Sequence, residues 1–305
     1  GLCTMHGMSL ASLIRLLALA ALWGGSFLFM RVAVPHLGAV PTAVGRGLFS
    51  TLGLGATLAI MGYRPRLGRY LWPLLALGVI NSGIPFLMYA LAAQVLPSGY
   101  SAIFNATTPL VATVVGALVF AEGITPARVM AVLLGICGVA VLAQAGPLEI
   151  TTAVLGGMAA CFVATVCYAF SSYLTLRLAG ANACVDTRAA VFISQLGALM
   201  VLTPALLLDM ALEPGMLARL QAAPLLAWGN VAVLGLLSTA LAYVLYFRLI
   251  ADEGPQKALT VTFIVPVFAV LWGWALLDES LTVAHAMGGG LIALSLWLVL
   301  RPKAD

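Results

Sequence analysis

Polar side chains stand inside long apolar stretches of this chain, among them Asn81, Ser82, Asn105, Tyr168, Ser238, Thr239 and Tyr243, with Trp23 in the first such stretch. Amides and hydroxyls donate and accept hydrogen bonds, and aromatic faces hold flat apolar bodies. That set suits reversible binding of a small polar solute, not the making or breaking of bonds. A structural role competes at each position, because Ser and Thr in membrane helices also bond their own backbone or a neighbouring helix. An amide without a partner costs more in apolar surroundings, so Asn105 is expected to face a solute.

Equally informative is what the apolar stretches lack. Every carboxylate (Glu122, Glu149, Asp186, Asp209, Glu213, Asp252, Glu253, Asp278, Glu279 and Asp305) falls near the end of a stretch or between two. With none at mid-stretch, export of hydrophobic cations and a carboxylate-based proton exchange both lose their usual anchor. No HExxH pair, no serine with a membrane histidine and no pair of membrane aspartates is present, so no enzyme is expected. The three histidines, His6, His36 and His285, lie far apart, and the five cysteines include no CxxC pair. No metal or cofactor is expected, and the cysteines read as small buried apolar side chains.

The elements that position these groups follow from composition. Of 305 residues 63% are apolar and 8% charged, against about a quarter charged in a soluble domain. So few charges cannot cover a surface in water, and the solvent for most of the chain is lipid. A helix needs about 20 apolar residues to cross the hydrocarbon. Pro, Gly and charge clusters divide the chain into ten such spans: 13–32, 42–62, 71–93, 98–120, 127–145, 152–178, 187–208, 224–250, 256–277 and 284–300. Backbone groups in lipid must bond internally, which favours helices, and no ten-residue alternation suggests a barrel. The first eight residues, GLCTMHGM, read as a remnant ahead of a native start at Met8, and the run after them as a first span, not a cleaved leader.

Basic residues set the orientation. With the N-terminus inside, eleven of the fourteen lie at inner ends, leaving Arg31, Arg46 and Arg219 outside, so both termini are expected in the cytoplasm. Arg46 sits a few residues inside the outer end of the second span. It is expected to snorkel to the headgroups; attraction of solute carboxylates at an outer vestibule is the alternative. Tyr63, Tyr70 and Trp72 read as interfacial anchors. The net charge of +4 is too small to suggest nucleic acid.

The chain repeats. Shifted by 157, residues from about 77 to 142 fall without a gap on the second half: Gly78 on Gly235, Tyr89 on Tyr246, Pro109 on Pro266, Gly116 on Gly273, Glu122 on Glu279 and Thr125 on Thr282. Asn81–Ser82 falls on Ser238–Thr239. A shift of 146 lays SFLFMRVA (26–33) over SYLTLRLA (172–179). Two halves of five spans follow, 1–147 and 148–305. Because five is odd, the second half enters the membrane upside down, an arrangement found in transporters with a solute site near the midplane. Pro109 and Pro266 should kink the fourth and ninth spans. Thr125 and Thr282 are candidate N-caps, with Glu122 and Glu279 beside the positive ends of the helices they start. The glycines of 135–138 and 288–290 should allow close helix packing.

The LWGGSF of the first span (22–27) and the repeated proline-to-glutamate element resemble the drug/metabolite transporter superfamily in its ten-span EamA branch. The resemblance covers roughly 13 to 300. It implies two inverted five-helix repeats, alternating access, and a central cavity enclosed by helices 1–4 and 6–9, with helices 5 and 10 peripheral. Within the branch the chain is most similar to bacterial amino-acid exporters, including those of aromatic amino acids. Other members move nucleotide sugars, sugar phosphates or cationic drugs. The expectation is therefore an all-α, multi-pass carrier of the bacterial inner membrane. It would act as a monomer or homodimer and export a neutral or zwitterionic metabolite through an uncharged pocket, by facilitated transport in preference to proton antiport.

Overall fold

A computed structural model describes residues 9–63, 68–121, 123, 125–145, 149–180, 187–253, 258 and 261–300. His6, Glu122, Asp186 and Asp305, named above, lie outside the described residues, as do two of the five cysteines, Cys3 and Cys184. Among the described residues no strand forms. The helices are α1 Leu10–Leu37, α2 Ala39–Ile60, α3 Leu71–Gly78, α4 Ile84–Ala92, α5 Ser98–Ala106, α6 Thr108–Val119 and α7 Pro126–Ala145. They continue with α8 Thr152–Gly180, α9 Thr187–Leu212, α10 Met216–Ala222, α11 Leu225–Gly235, α12 Ala242–Glu253, α13 Val261–Leu277 and α14 Val283–Leu300. Among the described residues, seven helical stretches are long and apolar enough to cross a membrane, and three further apolar helices of 10–17 residues lie in α7, α13 and α14.

Local sequence explains the ends and breaks. Ser9 caps α1, its hydroxyl accepting from the Ser12 amide at 3.1 Å. Gly38, at φ 88°, then turns the chain within one residue from α1 into α2, a backbone conformation that favours glycine. Pro109 does not sit within a continuous kinked helix. The helix stops at Thr107, and Pro109 takes the second position of α6, where its missing N–H is of no consequence. Pro266, by contrast, stays inside α13. The short α10 is an element that span-counting does not find, because it is too short and too polar to read as a crossing.

Two departures from α geometry form a matched pair. A π segment, Val79–Gly83, joins α3 to α4, and another, Leu236–Leu241, joins α11 to α12. Their first residues are 157 positions apart, the spacing of the sequence repeat. Described non-glycine residues with positive φ are Ala121 (54°) and Asp278 (53°), again 157 apart, just beyond α6 and α13.

Packing follows the glycines. A Cβ on Gly78 would collide with the Ser194 carbonyl of α9, and one on Gly235 with the Arg46 carbonyl and Ser50 amide of α2. In both places backbone meets backbone. Further out, α7 and α14 pack chiefly on each other. Gly138 lies against the Gly288 carbonyl, and Ser295 donates to the Ala131 carbonyl at 2.6 Å. Gly289 and Gly290 face open space, so the triple glycine is not wholly a packing device. Cys161 is buried as expected, but Cys137 is exposed on α7, on a face that no other helix covers.

Gly78→Leu and Gly235→Leu should each destabilise the purified protein by about 1–3 kcal/mol or more, because backbone cannot yield as a side chain can. Gly229→Leu, which meets nothing within 4 Å, should leave the thermal midpoint within a degree or two. Equal midpoints for all three variants would contradict the backbone contacts.

Candidate functional site

A cavity of about 680 Å³ lies among α1–α5, α8, α9, α12, α13 and the two π segments. Among the described residues, none of its lining comes from α7 or α14. That division matches the one the sequence resemblance implies. Trp23, Asn81, Asn105, Tyr168, Ser238, Thr239 and Tyr243 all line it. Ser82 does not. It is wholly buried behind the wall, where its hydroxyl accepts from Gln195 Nε2 at 3.0 Å. A π segment advances each side chain by less than an α turn does, and here Asn81 faces inward while Ser82 faces α9.

Short polar networks hold the lining. Ser171 donates to Asn81 Oδ1 at 2.9 Å, and Asn81 Nδ2 points at the Tyr243 hydroxyl, 3.5 Å away. Tyr89 donates to Asn105 Oδ1 at 3.1 Å. The amide of Asn105 thus has a protein partner, while its NH2 group keeps donor capacity. Aromatic rings make up much of the rest: Tyr89 stacks with Tyr168 at 6.3 Å between centroids, and Trp23 meets Tyr246 at 5.3 Å. Lining residues also pair through the sequence shifts. Asn81 and Ser238, Phe86 and Tyr243, Tyr89 and Tyr246, and Asn105 and Thr262 are each 157 apart, and Ser26 and Ser172 are 146 apart.

Arg46 corrects the sequence reading twice. It does not snorkel, and the pocket is not uncharged. Arg46 is 8% exposed and lines the cavity, with its guanidinium 3.9 Å from the centre of the Phe86 ring. Its Nε donates to Thr239 Oγ1 at 3.2 Å, and Thr239 in turn donates to the Leu234 carbonyl at 2.9 Å. Nη1 faces the Met30 sulfur at 3.9 Å. Among the described residues no carboxylate pairs with it, and no other charged side chain lines the cavity. The contact to Thr239 mirrors that of Gln195 to Ser82, since Ser82 and Thr239 are repeat-related. One half uses a neutral amide, whose Oε1 also accepts from Ser50 at 2.9 Å; the other uses a cation. Met30, Phe86 and Thr239 are scattered through the sequence, so nothing local could have signalled this burial.

Glu279 is a second correction. It caps a helix, but not the one it precedes. Its carboxylate accepts from the Ser98 amide (2.9 Å) and the Ser98 hydroxyl (2.7 Å) at the start of α5. At the start of α14, Thr282 instead meets His285 Nδ1, at 2.8 Å through its hydroxyl. The favourable placement of a carboxylate at a positive helix end is retained, on a helix 181 residues away.

Comparison with known proteins gives this architecture its family. The model of the EamA-like transporter family matches residues 10–144 and again residues 153–301. The chain belongs to that family. Relatives are similar over nearly their full length. An uncharacterized transporter of Archaeoglobus fulgidus is 23% identical, covering 92% of this chain and 95% of that one. Protein PecM of Dickeya dadantii is 26% identical, covering 87% and 84%. The uncharacterized inner membrane transporter YedA of Escherichia coli is 28% identical, covering 94% and 90%. A solved crystal structure shares the fold, with a TM-score of 0.63 at 19% identity over 95% of this chain and 97% of its own. This EamA-family chain is therefore a multi-pass membrane transporter, and its cavity is the place to look for the solute.

Within the cavity wall, Gln195→Leu would take one donor from the buried Ser82 hydroxyl and one acceptor from Ser50. It should cost about 1–3 kcal/mol of stability, read as a lowered thermal midpoint in detergent. Ser50→Ala, which also leaves Gln195 Oε1 without a donor, should cost less, because Gln195 keeps Ser82. A Gln195→Leu midpoint equal to that of the parent would refute the buried bond.

Proposed function

We propose that this EamA-family transporter is a carrier that exports small neutral or zwitterionic metabolites, amino acids and aromatic ones among them, across a bacterial inner membrane. The observation that carries the reading is the cavity itself. Its volume of about 680 Å³ lies within the usual range for small-molecule sites, and it is lined by amides, hydroxyls and aromatic faces with no carboxylate among the described residues. Backbone amine and carboxyl groups of an amino acid find hydrogen-bonding partners there, and a flat side chain finds rings. A cationic drug finds no counter-ion. Without a carboxylate in the lining, facilitated movement is favoured over a proton exchange that would need one.

The mechanism we propose is alternating access in a chain of ten spans, arranged as two inverted five-helix repeats, 1–147 and 148–305, with both termini cytoplasmic. The matched π segments, the matched left-handed residues, the paired lining side chains and the double family match support duplication. An odd number of spans per half inverts the second copy. The cavity then lies at the pseudo-twofold axis, where two halves exchanging conformations would expose it to alternate sides. Substrate-binding roles follow for Trp23, Asn81, Asn105, Tyr168, Ser238, Thr239 and Tyr243. Ser82 acts through the wall that holds Asn81.

In proteoliposomes, uptake of a radiolabelled aromatic amino acid should saturate and show counterflow; linear uptake without counterflow would indicate a channel instead. Transport of drugs or sugar phosphates but of no amino acid would overturn the substrate class. Asn81→Ala and Ser238→Ala should each lower transport by about tenfold, the scale of one lost hydrogen bond, with little change in thermal midpoint. For the topology, single cysteines at Gly62 and Gly215, in a variant without native cysteines, should react with an impermeant maleimide from opposite sides of the membrane. Labelling from the same side would sink the inversion.

A further inference from the structure

Taking the cavity as the solute site, we propose that Arg46 is its anion anchor, and that the transported solute presents a single carboxylate to this guanidinium. A buried guanidinium is retained where it has acceptors or a counter-charge. Arg46 has a neutral hydroxyl at Nε, a thioether sulfur at Nη1 and an aromatic face. Of its five N–H groups, three have no acceptor among the described residues. It lines the cavity, so those donors border the space a solute would fill. Beside Thr239, Ser238 also lines the cavity, and its buried hydroxyl has no hydrogen-bond partner among the described residues. A carboxylate with two acceptor oxygens would answer both vacancies.

The repeat supplies an internal control. Gln195 makes the corresponding contact in the other half: its Nε2 donates to Ser82, the repeat partner of Thr239, and its Oε1 accepts from Ser50. That contact closes within the protein and carries no charge. If bridging a helix to a π segment were the whole task, an amide would suffice at position 46 as well. The cation adds what Gln195 lacks, an unanswered positive charge facing the cavity.

Charge counting narrows the ligand. One guanidinium, with no second lysine or arginine in the described lining, balances one negative charge. A monocarboxylate meets that condition. A phosphate monoester, as in sugar phosphates, would bring nearly a second charge into a site with no partner for it. A solute with no anionic group would leave Arg46 uncompensated. Within the proposed function, the inference thus selects amino acids and related monocarboxylates over sugar phosphates and cationic drugs.

The test is competition in proteoliposomes: counterflow of labelled phenylalanine, inhibited by unlabelled phenylalanine or phenylalaninamide, which keeps ring and amine but lacks the carboxylate. The parent protein should prefer the acid by about tenfold or more. Arg46→Gln should bring that ratio to about one in whatever uptake remains, and Arg46→Lys should keep part of it. A purely structural arginine would change the amount of active protein but not the ratio. Equal inhibition by acid and amide in the parent, or an unchanged ratio in Arg46→Gln, would overturn the proposal. If Arg46→Gln does not fold, the parent and Arg46→Lys ratios still decide. If the parent transports no amino acid, the substrate reading fails separately. The anchor is then judged by thermal shift: benzoate but not benzamide should stabilise the parent, and neither should stabilise Arg46→Gln. Equal effects of both probes on the parent would refute it.

Discussion

A guanidinium held away from water constrains everything around it. Arg46 can be buried because α2 lies directly on α11 and the π segment that follows. Gly235 makes that approach possible by offering no side chain where the Arg46 carbonyl and Ser50 amide pass. The π segment then presents Thr239 to the guanidinium and Ser238 to the cavity. The other half repeats the construction, with Gly78 against α9 and Gln195 reaching Ser82. Close backbone contact, a local break in helical register and one polar bridge thus form a unit used twice. The cavity lies between the two copies.

Much of this was legible in the sequence because lipid enforces simple rules. Seven of the ten proposed spans coincide, to within about five residues, with helical stretches long and apolar enough to cross, and the other three fall on shorter apolar helices, since apolar length and Pro/Gly punctuation report on where a helix can lie in hydrocarbon. Seven of the eight proposed solute-contacting residues line the cavity because polar groups inside such helices have few other places to point. Arg46 was misread because its depth was counted from the apparent start of a span, whereas Gly38 starts α2 with no intervening loop. Its partners Met30, Phe86 and Thr239 come from three other elements. Ser82 was grouped with its neighbour Asn81 as a polar residue inside a span, but consecutive side chains point apart, and in this π segment Ser82 faces α9. Glu279 was assigned to its sequence neighbour, although a carboxylate at a turn serves whichever helix end lies closest in space.

The chemistry of the cavity is correspondingly asymmetric within a symmetric frame. Paired positions keep the same character in both halves: Tyr89 with Tyr246, Asn81 with Ser238, Asn105 with Thr262. Arg46 and Gln195 hold equivalent bridges but differ in charge. A duplicated scaffold supplies matched walls, and a solute without twofold symmetry needs them to differ somewhere. Here the difference in charge is concentrated in one side chain, while aromatic faces and neutral polar groups recur in both halves.

Each π segment stores one surplus residue in an otherwise regular rod. Were such a turn to relax to α geometry, the portion beyond it would rotate by about 100°, the angle one residue subtends. Asn81 or Ser238 would then swing off the wall, and Ser82 or Thr239 would take up a new bearing. Two rods of this kind stand on either side of one space, so a change of register in either would turn a different side chain toward it while the helix itself stayed intact.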